Sequence, residues 1–347
     1  MEVHDHLFHY KEKFELESGE SLPGFQLKYS TLGRLNEERN NVIWVCHALT
    51  GNSNVTDWWG ELFTGDGPFD PSRYFIICAN MLGGCYGSTG PLSVNNATGL
   101  PFYHEFPTLT NRDIVKAFDI LRSSLRIKSV EALLGGSLGG QHVVEWAVQQ
   151  PDVFRHIIPM ACNASHSAWG IAFNEAQRMA IEADQTWRSS DPRAGANGLK
   201  AARAMAMISY RQYVTYAKTQ GEKSNDTIGN FRAATYQQYQ GEKLAGRFNA
   251  YTYCILSKAM DSHNVGRNRR DVETVLKTIK AKTLVVGIES DVLYPVDEQK
   301  YLAQHIPGAR LEIIPSLYGH DGFLVECQHL KNIISHFFKS TRQGVFV

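Results

Sequence analysis

The sequence predicts an α/β fold, a mostly parallel, doubly wound sheet with a helical lid inserted before the penultimate strand. Three observations predict it. Val42-Ile43-Trp44-Val45-Cys46, Tyr74-Phe75-Ile76-Ile77-Cys78 and Ala132-Leu133-Leu134 are short, unbroken apolar runs. Such runs suit parallel strands covered by helices on both faces. Between them lie stretches of helical period, and 163–280 is rich in Ala, Gln, Arg, Lys and Met with no strand pattern. The strand pattern then resumes at Thr283-Leu284-Val285-Val286-Gly287-Ile288 and Ala309-Arg310-Leu311-Glu312-Ile313-Ile314. A chain of 347 residues is at the upper limit of one core. The expected division is therefore a core of 1–162 and 281–347 and a helical lid of 163–280.

In chain order, His4, His6 and His9 lie in a polar N-terminal segment and are assigned no metal. Phe14 and Leu16, then Phe25, Leu27 and Tyr29, alternate with polar residues around Ser18-Gly19-Glu20-Ser21, which predicts antiparallel strands with one wet face. Ile114, Phe118 and Leu121 recur at helical spacing between Asp113 and Leu125. A second helix is predicted over 138–150, with Gln141, Glu145 and Gln149 on one side, Val143, Trp146 and Ala147 on the other, and Pro151 ending it. Within the lid, a helix is predicted over 198–218.

Composition removes several functions. Lys+Arg and Asp+Glu both total 35, so no sustained basic stripe is available for a polyanion, and nucleic acid is not an expected partner. The longest apolar runs fall far short of the roughly 20 residues a bilayer span requires. The opening MEVHDHLFHYKEK has no apolar signal core, so a soluble chain without a membrane partner is expected. Cys46, Cys78, Cys85, Cys162, Cys254 and Cys327 are scattered without paired spacing, which suits a reducing cytoplasm.

Gly135-Gly136-Ser137-Leu138-Gly139-Gly140 joins a buried strand to a helix, the context in which G-x-S-x-G presents a nucleophile. A serine on so tight a turn projects its hydroxyl toward substrate, and only small neighbours allow the backbone to close around it. The Leu138 N–H at the helix start faces the place where a tetrahedral oxyanion would form. A glycine-rich turn with a capping serine is the bland alternative. A serine nucleophile requires a base, and the base an acid, in the chain order Ser, Asp, His. Asp291 and His320 follow the last two strands and meet that order at the carboxyl edge of the sheet. Singly, Asp291 reads equally well as a helix cap and His320 as a loop residue. The rival pairs, Asp297 with His305 and Asp261 with His263, follow no strand. The loop His47-Ala48-Leu49-Thr50-Gly51 follows an early strand, so the Leu49 N–H is the candidate second oxyanion donor.

Taken with Leu82-Gly83-Gly84-Cys85-Tyr86-Gly87-Ser88-Thr89-Gly90-Pro91, Ala259-Met260-Asp261 and Gly319-His320-Asp321, these motifs give a chain that resembles, over nearly its whole length, the homoserine O-acyltransferases of the α/β-hydrolase fold, chiefly the homoserine O-acetyltransferases. The resemblance implies ping-pong transfer of an acetyl group from acetyl-CoA through Ser137 to the hydroxyl of L-homoserine, in methionine biosynthesis. No permanently bound cofactor is implied. It also implies that Arg203 and Tyr210 bind the acceptor, that Asp321 binds its amino group, and that lid helices form a homodimer. Arg203 and Tyr210 are seven residues apart and so share a helix face. Tyr213, Tyr216, Tyr236 and Tyr239 are the aromatics expected at the dimer surface, or along a CoA tunnel. Leu138 and Gln141 stand where the family usually has Met. A succinyl donor, a serine acceptor or simple ester hydrolysis are the alternatives, since one acyl-serine intermediate serves them all.

Overall fold

The computed structural model describes residues 2–342; Met1 and 343–347, at the ends of the expected core, lie outside the described residues. Strands β1 (His4–Tyr10), β2 (Phe14–Glu15), β3 (Ser21–Leu22) and β4 (Phe25–Leu32) precede β5 (Val42–Cys46), helix α1 (Thr56–Trp59) and β6 (Phe75–Ala79). Then come α2 (Asn111–Ser124), β7 (Val130–Gly136), α3 (Leu138–Gln149) and β8 (Phe154–Met160). The next stretch is helical: α4 (Ala168–Glu182), α5 (Ala196–Tyr210), α6 (Tyr213–Gln220), α7 (Arg232–Ala245), α8 (Ala250–Asp261) and α9 (Val272–Leu276). Strand β9 (Lys282–Ile288), α10 (Val296–His305), β10 (Arg310–Ile314), α11 (Gly322–Val325) and α12 (Cys327–Arg342) follow.

Eight strands form one sheet in the order β1-β4-β6-β5-β7-β8-β9-β10. From β6 to β10 every pairing is parallel, while β4 and β1 add antiparallel strands at one edge. The chain leaves β5 for β6 on one side and reaches β7 on the other, so the sheet switches direction between β5 and β7. Open α/β sheets hold ligands at the carboxyl ends of strands flanking such a switch. Here those ends carry the loop after Cys46 and the turn at Ser137.

Both faces of the sheet are covered, which is why its central strands lack polar alternation. Trp44 and Val42 pack with Ile114, Phe118 and Trp146 on the side of α2 and α3. Ile43 and Val45 pack with Trp59, Phe63, Phe69, Phe337 and Phe338 on the other. Helix α2 begins with a capping box, the Thr110 side chain accepting from the Asp113 N–H and the Asp113 carboxylate from the Thr110 N–H. In the lid, α5 contacts α4 and α7, and an isolated bridge between Ser165 and Asn264 joins the two ends of the helical stretch.

Two local features lie beyond the sequence reading, and one expectation is corrected. The histidine-bearing N-terminus is a strand, β1, because β4 supplies its hydrogen-bonding edge; His6 bonds Thr31 at 2.9 Å and stacks on Tyr29. The polar side of α3 does not face water. Glu145 is 1% exposed and pairs with Arg269 at 2.6 Å and Arg112 at 3.4 Å, because the segment returning from the lid covers that side. The helix expected over 198–218 breaks between α5 and α6, where Arg211 is extended and the Gln212 side chain caps the next helix.

Candidate active site

Ser137 occupies the turn between β7 and α3 with φ 58° and ψ −126°, a left-handed conformation costly for a side chain. The turn holds that strain because the surrounding backbone leaves no other path. Its amide donates to the Met160 carbonyl at 2.9 Å and its carbonyl accepts from Gln141 at 3.0 Å. A Cβ at Gly139 would lie 2.1 Å from the Cys46 carbonyl oxygen, and one at Gly136 would lie 2.3 Å from the Phe323 ring. These glycines thus let the β5 strand end and the Phe323 ring close around the serine.

Asp291 follows β9, and His320 lies in the short turn Gly319–Asp321 after β10. Nδ1 of His320 is 2.7 Å from Oδ2 of Asp291, while the other Asp291 oxygen accepts from the amides of Leu293 at 2.8 Å and Tyr294 at 2.9 Å. The carboxylate is therefore fixed at both oxygens and in turn fixes the imidazole. Nε2 of His320 is buried and has no hydrogen-bond partner among the described residues. Burial opposes the imidazolium, but the charge and hydrogen bond of Asp291, with Asp321, outweigh it and hold His320 above the ordinary imidazole range. The Phe323 ring that limits Gly136 lies 5.3 Å from the His320 ring, so the elbow and the histidine share one wall. Asp297 instead pairs with exposed Lys300, His305 faces Glu273, and His263 bonds the Asn163 carbonyl.

The two candidate oxyanion donors lie on adjoining backbone. Leu138 begins α3, where the first amides lack intrahelical acceptors. A Cβ on Gly139 would also meet the His47 carbonyl oxygen at 2.8 Å, which brings the loop bearing Leu49 against the elbow. His47 shapes that loop: Nδ1 lies 2.8 Å from the Ala48 carbonyl and Nε2 accepts from the Met81 amide at 3.4 Å. Burial lowers its pKa to about 4, keeping it neutral for those roles. Arg247 ties the lid to this rim, donating to the Thr50 carbonyl at 2.7 Å and to the Tyr86 hydroxyl in the loop 82–91.

Arg203 and Tyr210 both lie on α5, the guanidinium 5.3 Å from the tyrosine ring centre, and that ring is 5.6 Å from the His320 ring. Asp321 pairs with Arg211 at 3.3 Å, a partner the sequence reading did not include. Arg211 reaches it because α5 ends there: a Cβ on Gly319, at φ +62°, would lie 2.9 Å from the Tyr210 carbonyl oxygen. Burial pushes the Asp321 carboxyl above its usual range, with Arg211, His320 and Arg203 pulling the other way. A cavity of about 890 Å³ between lid and core is lined by Ile208, Arg211, Tyr213, Tyr216, Asp291 and Val292. Tyr213 and Tyr239 are exposed as expected, but Tyr216 and Tyr236 are half-buried against each other, their rings 6.0 Å apart. No helix of the described residues is long and apolar enough to cross a membrane.

A strained serine between strand and helix, with a carboxylate-bound histidine after later strands, is the plan of an α/β-hydrolase, and the family model of the alpha/beta hydrolase fold matches residues 41–326. The chain is 48% identical over 338 residues to a homoserine O-acetyltransferase of Cyclobacterium marinum, covering 97% of this chain and 96% of that one. Among solved structures, a homoserine O-acetyltransferase from Staphylococcus aureus superposes with TM-score 0.80 at 30% identity, covering 97% of this chain and 95% of that one. Esterase E22 superposes with TM-score 0.88 at 21% identity, over 97% of this chain and 100% of that one, a likeness of fold alone. The chain belongs to the homoserine O-acetyltransferase family.

Proposed function

We propose that this chain transfers the acetyl group of acetyl-CoA to the hydroxyl of L-homoserine by a ping-pong route, with Ser137 as nucleophile, His320 as base and acid, and Asp291 as its orienting partner. The observation that carries the reading is the Asp291–His320 pair at 2.7 Å, whose buried Nε2 is unbonded among the described residues and lies on the wall that holds the strained serine. His320 takes the Ser137 proton as the serine oxygen attacks the thioester carbonyl. The amides of Leu49 and Leu138 receive the oxyanion. Collapse expels the CoA thiolate, which takes the proton from His320, and leaves acetyl-serine. Homoserine then gives its hydroxyl proton to His320 and attacks the acetyl carbon; collapse breaks the bond to the serine oxygen, which takes the proton back from His320, and O-acetylhomoserine leaves.

Acceptor charge supports the same reading. Homoserine carries a carboxylate and an ammonium, and Arg203 with Tyr210 and Asp321 supplies a cation, a hydroxyl and an anion beside the base. The cavity bordered by Asp291 lies within the usual size range for ligand pockets, and we assign the donor arm to it. Two copies associate through the lid, in keeping with its exposed apolar side chains. The deciding experiment follows thiol release from acetyl-CoA with and without homoserine, with L-serine and succinyl-CoA in parallel. Release that depends on homoserine, with O-acetylhomoserine formed, is expected. Equally fast release without any acceptor would make the chain a hydrolase.

A further inference from the structure

Gln141 stands one turn after Ser137 on α3, wholly buried, yet its side chain is polar. Its carboxamide oxygen accepts from Nδ2 of Asn111 at 3.0 Å. Its nitrogen lies 3.1 Å from Oδ1 of Asn163, 3.2 Å from Nδ1 of His166 and 3.3 Å from the Tyr294 hydroxyl. Beyond His166, Asn174 lies 3.3 Å from Nε2 and donates to Oδ1 of Asp261 at 2.7 Å, while Arg178 pairs with the other Asp261 oxygen at 2.6 Å. One buried polar chain thus runs from the lid helices α4 and α8, through Asp261, to the helix that starts at the nucleophile.

The other end of this chain is Tyr294, 1% exposed, which meets the base pair at two points. Its amide donates to Oδ1 of Asp291 at 2.9 Å, and its ring stacks on His320 with centres 5.2 Å apart and planes 25° apart. Nδ1 is already tied to Asp291, so the tilt of the imidazole is set by what lies against its faces. A tyrosine ring can serve as that support only if it is itself held, and Gln141 holds its far end.

We propose that Gln141 and Tyr294 are a positioning pair: Gln141 anchors the Tyr294 hydroxyl so that its ring holds His320 in the orientation needed to reach Ser137. This rests on the reading of Ser137, Asp291 and His320 as the catalytic groups. A network that served packing alone would have no reason to end on the face of the base. Water cannot readily replace the Gln141 contact, because the hydroxyl it holds is buried.

The test uses the full chain and compares Tyr294→Phe, Gln141→Met, their combination and Tyr294→Leu, measuring the acylation rate with acetyl-CoA, the homoserine KM, the pH profile and the thermal midpoint. Loss of the tether by Tyr294→Phe is expected to slow acylation roughly tenfold, since small misplacements of a catalytic group are costly. The homoserine KM stays within about twofold, the signature of a lost transition-state contact. Gln141→Met gives a loss of the same order, and the double variant loses no more than the worse single one, because the contact that Tyr294→Phe removes is already absent in Gln141→Met. Tyr294→Leu removes the ring, slows acylation further and moves the acid limb to higher pH, since burial is what lowers the imidazole. The other titratable groups around it, Asp291, Asp321 and Tyr210, with Arg203 and Arg211 acting through Asp321, are unchanged in that variant. Losses that multiply in the double variant, or a Tyr294→Phe protein that acylates at the native rate, would overturn the proposal. If Gln141→Met does not fold, the comparison of Tyr294→Phe with Tyr294→Leu decides alone. Ser137→Ala and His320→Ala run in parallel: activity in either removes the catalytic reading itself, whereas their inactivity beside a native-rate Tyr294→Phe removes only the positioning pair.

Discussion

Asp321 and His320 are adjacent in sequence but face opposite demands. In the proposed reaction His320 exchanges a proton while Asp321 keeps its charge in a buried place, and Arg211 at 3.3 Å opposes the rise that burial causes. If Asp321 holds the acceptor's ammonium, Asp321→Asn should raise the homoserine KM about 10- to 100-fold, the equivalent of roughly 1.5–3 kcal/mol for a charged hydrogen bond. Acetylation of Ser137 by acetyl-CoA in the absence of homoserine should stay within about twofold, because the first half-reaction does not use the ammonium. A carboxyl whose pKa is raised binds protons more readily as pH falls, so the native KM should rise toward acid while that of Asp321→Asn stays flat. Rapid-quench measurement of the two half-reactions checks both. Equal loss in both steps would show that Asp321 acts on the base and not on the acceptor. Arg211 was not legible in the sequence, because its reach to Asp321 depends on a helix break seated over Gly319, more than a hundred positions away. Ser137 was legible because the small residues that let the Cys46 strand end and the Phe323 ring close on it lie within the six residues of its own turn.

At the scale of the element, the site depends on α3 pointing its first turn at the β5 strand end, and α2 is the helix packed beside it. Thr110 and Asp113 start α2 reciprocally, and Asp113 also accepts from the Glu17 amide at 2.9 Å, linking the helix to the N-terminal strands. Thr110→Ala should therefore cost about 1 kcal/mol in urea unfolding, the usual worth of a helix cap. The acylation rate should stay native, since the Thr110 side chain bonds Asp113 and not the elbow. An unchanged urea midpoint would mean that the Asp113 link to Glu17 holds the helix start by itself. Strand and helix order were readable from hydrophobic period because the covered sheet leaves unbroken apolar runs. The fate of polar positions was not. Glu145 and Gln141 read only as one polar helix side, and the first is sealed by Arg112 and Arg269 and the second by Asn111, Asn163, His166 and Tyr294. Period reports that a face is polar; only the partners show whether it is exposed. In the same way, β1 is strand because β4 offers it an edge, and nothing in its own run of histidines carries that information.

Across the whole molecule, exposed apolar side chains are concentrated on the lid: Met179 on α4 is 61% exposed, Ile208 on α5 61%, Tyr213 on α6 85% and Tyr239 on α7 57%. Apolar groups left in water gain nothing there, and such concentrations mark interaction sites. With no net charge to keep copies apart, a second copy is the partner we assign to this surface. Sedimentation of the native chain at micromolar concentration should therefore give a dimer. Ile208→Glu with Tyr213→Glu places charge where apolar contact is required, and should shift it toward monomer with a thermal midpoint lowered only by the loss of association. Both residues also line the cavity beside Asp291, so dimer loss and donor binding are separable by one further comparison. Met179→Glu, which does not line that cavity, should weaken the dimer while leaving the KM for acetyl-CoA within about twofold. A native chain that sediments as a monomer would leave the lid surface free for the donor alone, and the cavity rather than a subunit contact would then account for its apolar character.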